Sequence, residues 1–318
     1  MRILSCVPFP IGPMTPPGFQ VDTCEPREIV DHLQGVDVLV PGNNGVVDRS
    51  LLDRGSFGLV LQVGMGLDKV DVEAATDRGV WVAHIPSDLS GNAVSVAEHA
   101  VFLALAVSRR LHEAEAALAA RKVGQPLGLS LKGKTACIIG LGNVGAQLAR
   151  RLQAFDMTLI GVNPRPVQID GVILKALHTT DRLAAALAGA DFVFVCASGD
   201  KKNVGLIDRR ILAAMKRGAV LVNVARGQLV DEAALLDALQ SRQLAGAGLD
   251  VFTDEPIDPA APLLRQPTVV ATPHVGGATD LTLAGTSGMI RSDLDAYFRH
   301  ERFPGLVNHP AHARCPLN

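Results

Sequence analysis

Short apolar runs, many of them β-branched, alternate with helix-length stretches along the whole chain. This is the pattern of βαβ units around a mostly parallel sheet, so the fold class is α/β. In the first quarter, residues 3–7, 36–40, 59–63 and 80–84 read as strands. Their apolar positions are continuous rather than alternating, which predicts strands covered on both faces. A polar loop at 87–92 follows Pro86, and an Ala-rich stretch then reads as one long helix to about residue 121, stopped by Gly124 and Pro126. A second strand set appears at 135–139, 158–162, 192–196, 220–224, 248–251 and 269–271, enough for a complete Rossmann sheet. Residues 281–300 read as a single helix, which cannot form a domain alone and is expected to pack back onto the first strand set.

A length of 318 residues suits two domains. The boundaries read from the pattern place 1–91 with 282–318 in one, discontinuous, domain and 92–281 in the other.

Composition narrows the chemistry. Hydrophobic residues make up 48% of the chain, and the net charge is -2 with acids and bases intermixed. That leaves no electrostatic footprint for nucleic acid or an anionic membrane, and points to a small-molecule partner. The five cysteines are odd in number and lack ligand spacing, so they read as reduced core thiols with no metal site. Residues 1–9 run directly into an apolar, strand-like stretch without a basic leader, and residues 94–107 are too short to span a bilayer. The expected location is the cytoplasm.

The strand at 135–139 runs into Gly140-Leu-Gly142-Asn143-Val144-Gly145 and then a helical stretch. In that context a G-x-G-x-x-G turn has a physical task. Gly140 permits the tight turn, Gly142 admits a pyrophosphate to the backbone, and Gly145 lets helix and strand pack closely. The same turn could also be structural, without a ligand. The next strand ends at Asn163-Pro-Arg165, where an NAD-binding protein would carry an acid for the ribose hydroxyls. Asn163 removes a charge that would repel a 2'-phosphate, and Arg165 could bind one, which puts NADP ahead of NAD. Alternatively, Asn163 binds the ribose as an amide and Arg165 is a solvated loop residue.

Three further segments lie at successive strand ends: Asn223-Val224-Ala225-Arg226-Gly227, then Asp250-Val-Phe-Thr-Asp-Glu255-Pro256, then Thr272-Pro-His274-Val-Gly-Gly. Singly, Arg226 could be a surface cation, Glu255 a turn acid and His274 a satisfied loop histidine. Together they fall where ligands of doubly wound sheets bind.

In this order, and with the Gly-rich turn, these motifs resemble the D-isomer-specific 2-hydroxyacid dehydrogenases. Gly64-Met65-Gly66-Leu-Asp68 and Ser95-Val-Ala-Glu98 extend the likeness over nearly the whole chain. The resemblance implies a Rossmann dinucleotide-binding domain at 92–281 and a flavodoxin-like substrate domain for the remainder. It further implies hydride transfer between NAD(P) and a small 2-keto or D-2-hydroxy acid, with glyoxylate or hydroxypyruvate reduction favoured, in a homodimer whose interface uses the helix at 94–120. Arg226 would hold the carboxylate and polarise the carbonyl, His274 would act as general acid and base, and Glu255 would orient and charge the imidazole. Met65 and Gly66 would offer backbone N–H groups to the substrate. Asp250 would face the nicotinamide carboxamide, with Ala197, Val224 and Ala225 lining the cofactor.

Departures from the pattern bear on specificity. The stretch Cys196-Ala197-Ser-Gly-Asp200 replaces a Pro-Leu-Thr-like segment, and His84-Ile-Pro86 replaces Asn-x-Pro before a lengthened loop. Two rival readings share the fold: a dinucleotide-sensing interaction protein, for which the disordered extensions expected of that class are not seen, and a dehydrogenase of an inorganic oxyanion such as phosphite.

Overall fold

The computed structural model describes residues 1–7, 10–42 and 44–318; Pro8 and Phe9, the end of the expected first apolar run, lie outside the described residues. The chain divides into two compact units, Met1–Asn92 with Asp280–Asn318, and Ala93–Thr279. The hydrophobic pattern places these boundaries at 91/92 and 281/282.

The first unit is a five-stranded parallel sheet of β1 (Arg2–Ser5), β2 (Gln20–Thr23), β3 (Val38–Val40), β4 (Leu59–Gln62) and β5 (Trp81–His84), in the order β2-β1-β3-β4-β5. That is the flavodoxin-like order. Helices α1 (Arg49–Arg54) and α2 (Val72–Asp77) follow β3 and β4, each started by an aspartate, Asp48 or Asp71, whose carboxylate accepts the N–H three residues on. Leu4, Leu39, Val60 and Val82 point to one apolar layer, and their neighbours Ile3, Val38, Leu59, Leu61 and Trp81 point to the other.

The second unit begins with α3 (Asn92–Ser108) and α4 (Leu111–Ala119). Its strands are β6 (Thr135–Ile139), β7 (Thr158–Val162), β8 (Leu174–His178), β9 (Phe192–Val195), β10 (Ala219–Asn223), β11 (Leu244–Leu249) and β12 (Val269–Ala271). They pair in parallel in the order β12-β11-β10-β9-β6-β7-β8. Winding reverses between β6 and β9, the switch point at which such sheets bind ligands beyond their carboxyl ends. Helices α5 (Asn143–Ala154), α6 (Leu183–Leu187), α7 (Arg209–Ala214) and α8 (Glu232–Gln240) connect these strands. The last helix, α9 (Asp280–Phe298), belongs to the first unit and lays Ile290, Leu294 and Tyr297 into its core.

The differences from the sequence reading have local causes. The sequence pattern does not predict the strands β2 and β8. Both are sheet edges with interleaved polar residues, Gln20-Val-Asp-Thr and Leu174-Lys-Ala-Leu-His, and edge strands bury too little to leave a continuous apolar run. The single long helix is two, broken where Arg110 adopts φ 54° and where the Ser108 carbonyl accepts Leu129 N–H from the returning chain. The strand β11 starts earlier than expected because Gly246 and Gly248 mask it; side chains there would run into Val107 and Leu103 of α3. Of the thiols, only Cys6 and Cys137 are buried, and the Sγ atoms of Cys6 and Cys24 lie 3.5 Å apart as free thiols. Among the described residues, no helix is long and apolar enough to cross a membrane.

The residues after α9 close the first unit. Residues 305–307 run antiparallel beside β5, the sheet's outer strand: His84 N–H donates to Gly305 O, and Val307 N–H to Val82 O. Asn308, buried, accepts from Val82 N–H at 2.8 Å and donates to Thr76 Oγ1 and Val80 O at 2.9 Å each. Truncating it strands a buried donor and a buried acceptor. Asn308→Ala is therefore expected to destabilise the protein by about 2–4 kcal/mol, read as a lowered urea midpoint at unchanged m-value.

Candidate active site

All the sequence-predicted residues of the second unit lie at the carboxyl ends of its strands. After β6, Gly140 turns the chain at φ 90° and presses against the end of β9, where an added Cβ would sit 2.6 Å from Ala197 N. A Cβ on Gly145 would lie 2.0 Å from Gly140 O, so helix α5 can leave the turn this closely only with glycine there. Gly142 is different. It is the N-cap of α5, accepts nothing through a side chain, and a Cβ built on it meets nothing within 4 Å. The start of α5 is thus uncrowded at Gly142, just before Asn143 and Val144, and the helix dipole favours an anion there. This cradle fits the pyrophosphate of a dinucleotide.

Asn163 directly follows β7. Its Oδ1 accepts Leu141 N–H at 3.1 Å and its Nδ2 donates to Arg165 O at 2.8 Å, so the amide braces the glycine turn from the end of β7. Arg165 is exposed. Val224 and Ala225, both buried, follow β10.

Arg226 comes next. Asn223, buried at the end of β10, accepts Ala225 N–H with Oδ1 and donates from Nδ2 to Arg226 O, fixing the backbone that presents the guanidinium. Behind it, Gly227 is crossed so closely by the chain after β11 that a Cβ would lie 1.8 Å from the Phe252 carbonyl carbon. The loops after β10 and β11 are therefore packed backbone to backbone.

Glu255 accepts Phe252 N–H through Oε1 at 3.0 Å and pairs through Oε2 with His274 Nδ1 at 2.8 Å. Burial pushes the Glu255 carboxyl up, but the hydrogen bonds from His274 and Phe252, and the charges of His274 and Arg226, outweigh it and hold it below the ordinary carboxylate range. An ionised carboxylate only accepts, so Nδ1 carries hydrogen and the ring is oriented with Nε2 facing away. The two side chains are about a quarter to a third exposed, which leaves the imidazole within reach of a ligand. A cation, a carboxylate and an oriented imidazole thus come together at the adjacent ends of β10, β11 and β12, a set able to bind an acid and exchange a proton with it.

Asp250, 2% exposed, turns its carboxylate onto residues 272–276. Thr272 Oγ1, Val275 N–H and Gly276 N–H donate to it, and His99 Nε2 lies 2.8 Å from Thr272 Oγ1. Nothing in the sequence singles out Asn223, Thr272 or His99 for these contacts. Thr272 stood inside the quoted Thr-Pro-His, whereas His99 is separated from it by most of the domain and showed only as a polar residue on an Ala-rich helix. Met65 and Gly66 belong to the first unit, just beyond β4; His84 hydrogen-bonds the Met65 backbone, and burial lowers the pKa of His84 despite that bond.

Fold and site define a doubly wound dinucleotide-binding unit carrying an Arg, Glu and His constellation, and a flavodoxin-like unit formed by the rest of the chain. Residues 101–276 match the family described as D-isomer specific 2-hydroxyacid dehydrogenase, NAD binding domain. The chain is 34% identical over 276 residues to a D-3-phosphoglycerate dehydrogenase of Archaeoglobus fulgidus, covering 84% of this chain and 50% of the relative. It is 32% identical to a glyoxylate reductase of Thermofilum pendens, covering 89% and 84%. A solved NADPH-dependent glyoxylate/hydroxypyruvate reductase of Sinorhizobium meliloti, in complex with NADP and malonate, superposes with a TM-score of 0.83 at 32% identity, covering 99% and 98%. The chain belongs to the D-isomer specific 2-hydroxyacid dehydrogenase family, a family of oxidoreductases. It spans about half the length of the phosphoglycerate dehydrogenases it matches.

The open space at Gly142 yields a direct test. Gly142→Ala should fold with an unchanged melting temperature, because φ is -77° and nothing crowds the new methyl group. The methyl would stand where a pyrophosphate approaches, so dinucleotide affinity should fall roughly tenfold or more, measured by fluorescence titration with the reduced dinucleotide.

Proposed function

We propose that this protein transfers a hydride reversibly between a nicotinamide dinucleotide and a small 2-keto or D-2-hydroxy acid. The observation that carries the reading is the His274 and Glu255 pair, with Nδ1 held at 2.8 Å and Nε2 directed away from it, next to Arg226. The bound nicotinamide supplies the hydride in reduction and receives it in oxidation. The work of the chain is the rest: Arg226 pairs with the carboxylate and draws charge onto the carbonyl oxygen, and His274 gives its Nε2 proton to that oxygen as the hydride reaches the adjacent carbon. Glu255, ionised, stabilises the imidazolium that reduction requires. In oxidation His274 takes the hydroxyl proton back. Met65 and Gly66 are proposed as backbone donors to the substrate carboxylate, and Ala197, Val224, Ala225 and Asp250 as cofactor-lining residues.

For the cofactor, NADP is proposed ahead of NAD. Asn163 carries no charge to repel a 2'-phosphate and spends its amide on the turn, while the guanidinium of Arg165 stands exposed two residues on. For the substrate, glyoxylate or hydroxypyruvate is proposed, supported by the likeness to the Thermofilum and Sinorhizobium reductases. The likeness to phosphoglycerate dehydrogenases supports D-3-phosphoglycerate as a second reading.

A screen of 2-keto acids with each reduced dinucleotide, and of D-3-phosphoglycerate and phosphite with the oxidised forms, should find turnover on glyoxylate or hydroxypyruvate. Dinucleotide binding without any turnover would favour the sensing protein instead. His274→Ala should lower kcat by about 100- to 10,000-fold with dinucleotide binding retained. Glu255→Gln, which removes the carboxylate bonded to His274 Nδ1, should lower kcat roughly 10- to 100-fold with dinucleotide binding retained. In Arg165→Ala, kcat/KM with NADP should fall roughly tenfold relative to NAD, the loss of one charge-assisted contact; a wild type that strongly prefers NAD would refute the NADP assignment.

A homodimer is also proposed. Helix α3 packs into its own unit's core, whereas α4 buries no residue, and Leu118, Val123 and Leu127 in and beyond it are 78%, 95% and 89% exposed. Apolar surface this concentrated suits a second copy. Light scattering should give twice the chain mass, falling to the chain mass in Val123→Glu with Leu127→Glu.

A further inference from the structure

We propose that His99 is a positioning residue for His274, acting through Thr272 and Asp250 to hold the loop that carries the imidazole. For its effect on turnover this rests on the function proposed above. The loop needs holding. His274 sits at φ 55°, in the left-handed region that residues other than glycine rarely occupy. Asp250 restrains it from both sides: its carbonyl accepts His274 N–H at 2.8 Å, and its carboxylate accepts Thr272 Oγ1 at 2.6 Å, Val275 N–H at 2.9 Å and Gly276 N–H at 2.8 Å. The loop lies so close that a Cβ on Gly276 would be 2.8 Å from Asp250 Oδ2 and 3.5 Å from His99 Cδ2.

The direction of each bond follows from counting protons. The Thr272 hydroxyl has one hydrogen and gives it to an oxygen of Asp250, so the 2.8 Å contact with His99 Nε2 must be donated by the imidazole. The same Nε2 lies 3.4 Å from Asp250 Oδ1. His99 therefore carries its hydrogen on Nε2 and ties α3 to the Thr272 hydroxyl and the Asp250 carboxylate together. Burial pushes the Asp250 carboxyl up, and the bonds from His99, Thr272, Val275 and Gly276 bring it below its ordinary value, so the carboxylate is ionised where it is needed as an acceptor. With side-chain exposures of 15% for His99 and 3% for Asp250, water does not replace a missing donor easily.

A histidine that merely packs α3 against β11 would matter for stability and not for the loop. The two roles separate in His99→Leu, which removes the donor, and His99→Gln, which restores an N–H. In His99→Leu, amide hydrogen exchange of Val275 and Gly276 should accelerate at least tenfold, with kcat lowered by roughly 10- to 100-fold and KM nearly unchanged. His99→Gln should recover most of both. Thr272→Val should reproduce the exchange effect, and the double variant should add little to either single one. Unchanged exchange at 275 and 276 in a folded His99→Leu, no recovery in His99→Gln, or additive effects in the double variant would each overturn the proposal. The exchange measurement stands whether or not a 2-keto acid is turned over, so a failure of the functional reading shows in the wild-type screen alone.

Discussion

A carboxylate removed from water must have its oxygens bonded, and Asp250 meets that demand with the backbone of the segment carrying His274. Five residues further along the same loop, Glu255 takes hold of the imidazole itself. The end of β11 thus governs both the main chain and the ring of one residue. The loop between these two acids is in turn locked to the loop after β10, because Phe252 crosses Gly227 at a distance no side chain permits. Arg226, Glu255 and His274 are consequently not three independent loop residues. Shifting one strand end would shift the others through contacts of backbone on backbone, which yield less than side chains do.

The central strands and the order of the motifs were legible because they depend on local rules. Parallel strands covered on both faces are apolar almost throughout, as residues 136–139, 159–162 and 192–195 are, and a glycine turn between strand and helix has few other uses. Features that depend on distant parts of the chain were not. The edge strands β2 and β8 are defined by the neighbour they pair with and not by their own composition. The start of β11 was hidden because its glycines answer to α3, well over a hundred residues earlier. The break at Arg110 has no proline or glycine to announce it.

The candidate site divides in the same way. The residues proposed to meet a ligand are readable, since Arg226, Glu255 and His274 are unusual at strand ends and stand in a known order. Residues that hold them were not, since Asn223, Thr272 and His99 are ordinary polar residues until the fold brings their partners within reach. For Asn163 and Asp250 the sequence suggested contacts to a cofactor, and the structure adds protein contacts that occupy much of each side chain.

The closing segment of the first unit bears on the order in which the polypeptide can fold during synthesis. Asn308 and Cys315 bond to Val82 and Trp81 across 226 and 234 residues. The second unit is continuous, so all its strand partners have left the ribosome before residue 300. The first unit must wait with the outer backbone of β5 uncovered until residues 305–308 emerge. A nascent chain therefore carries an open sheet edge throughout the synthesis of an entire domain, which is the circumstance in which strands recruit wrong partners.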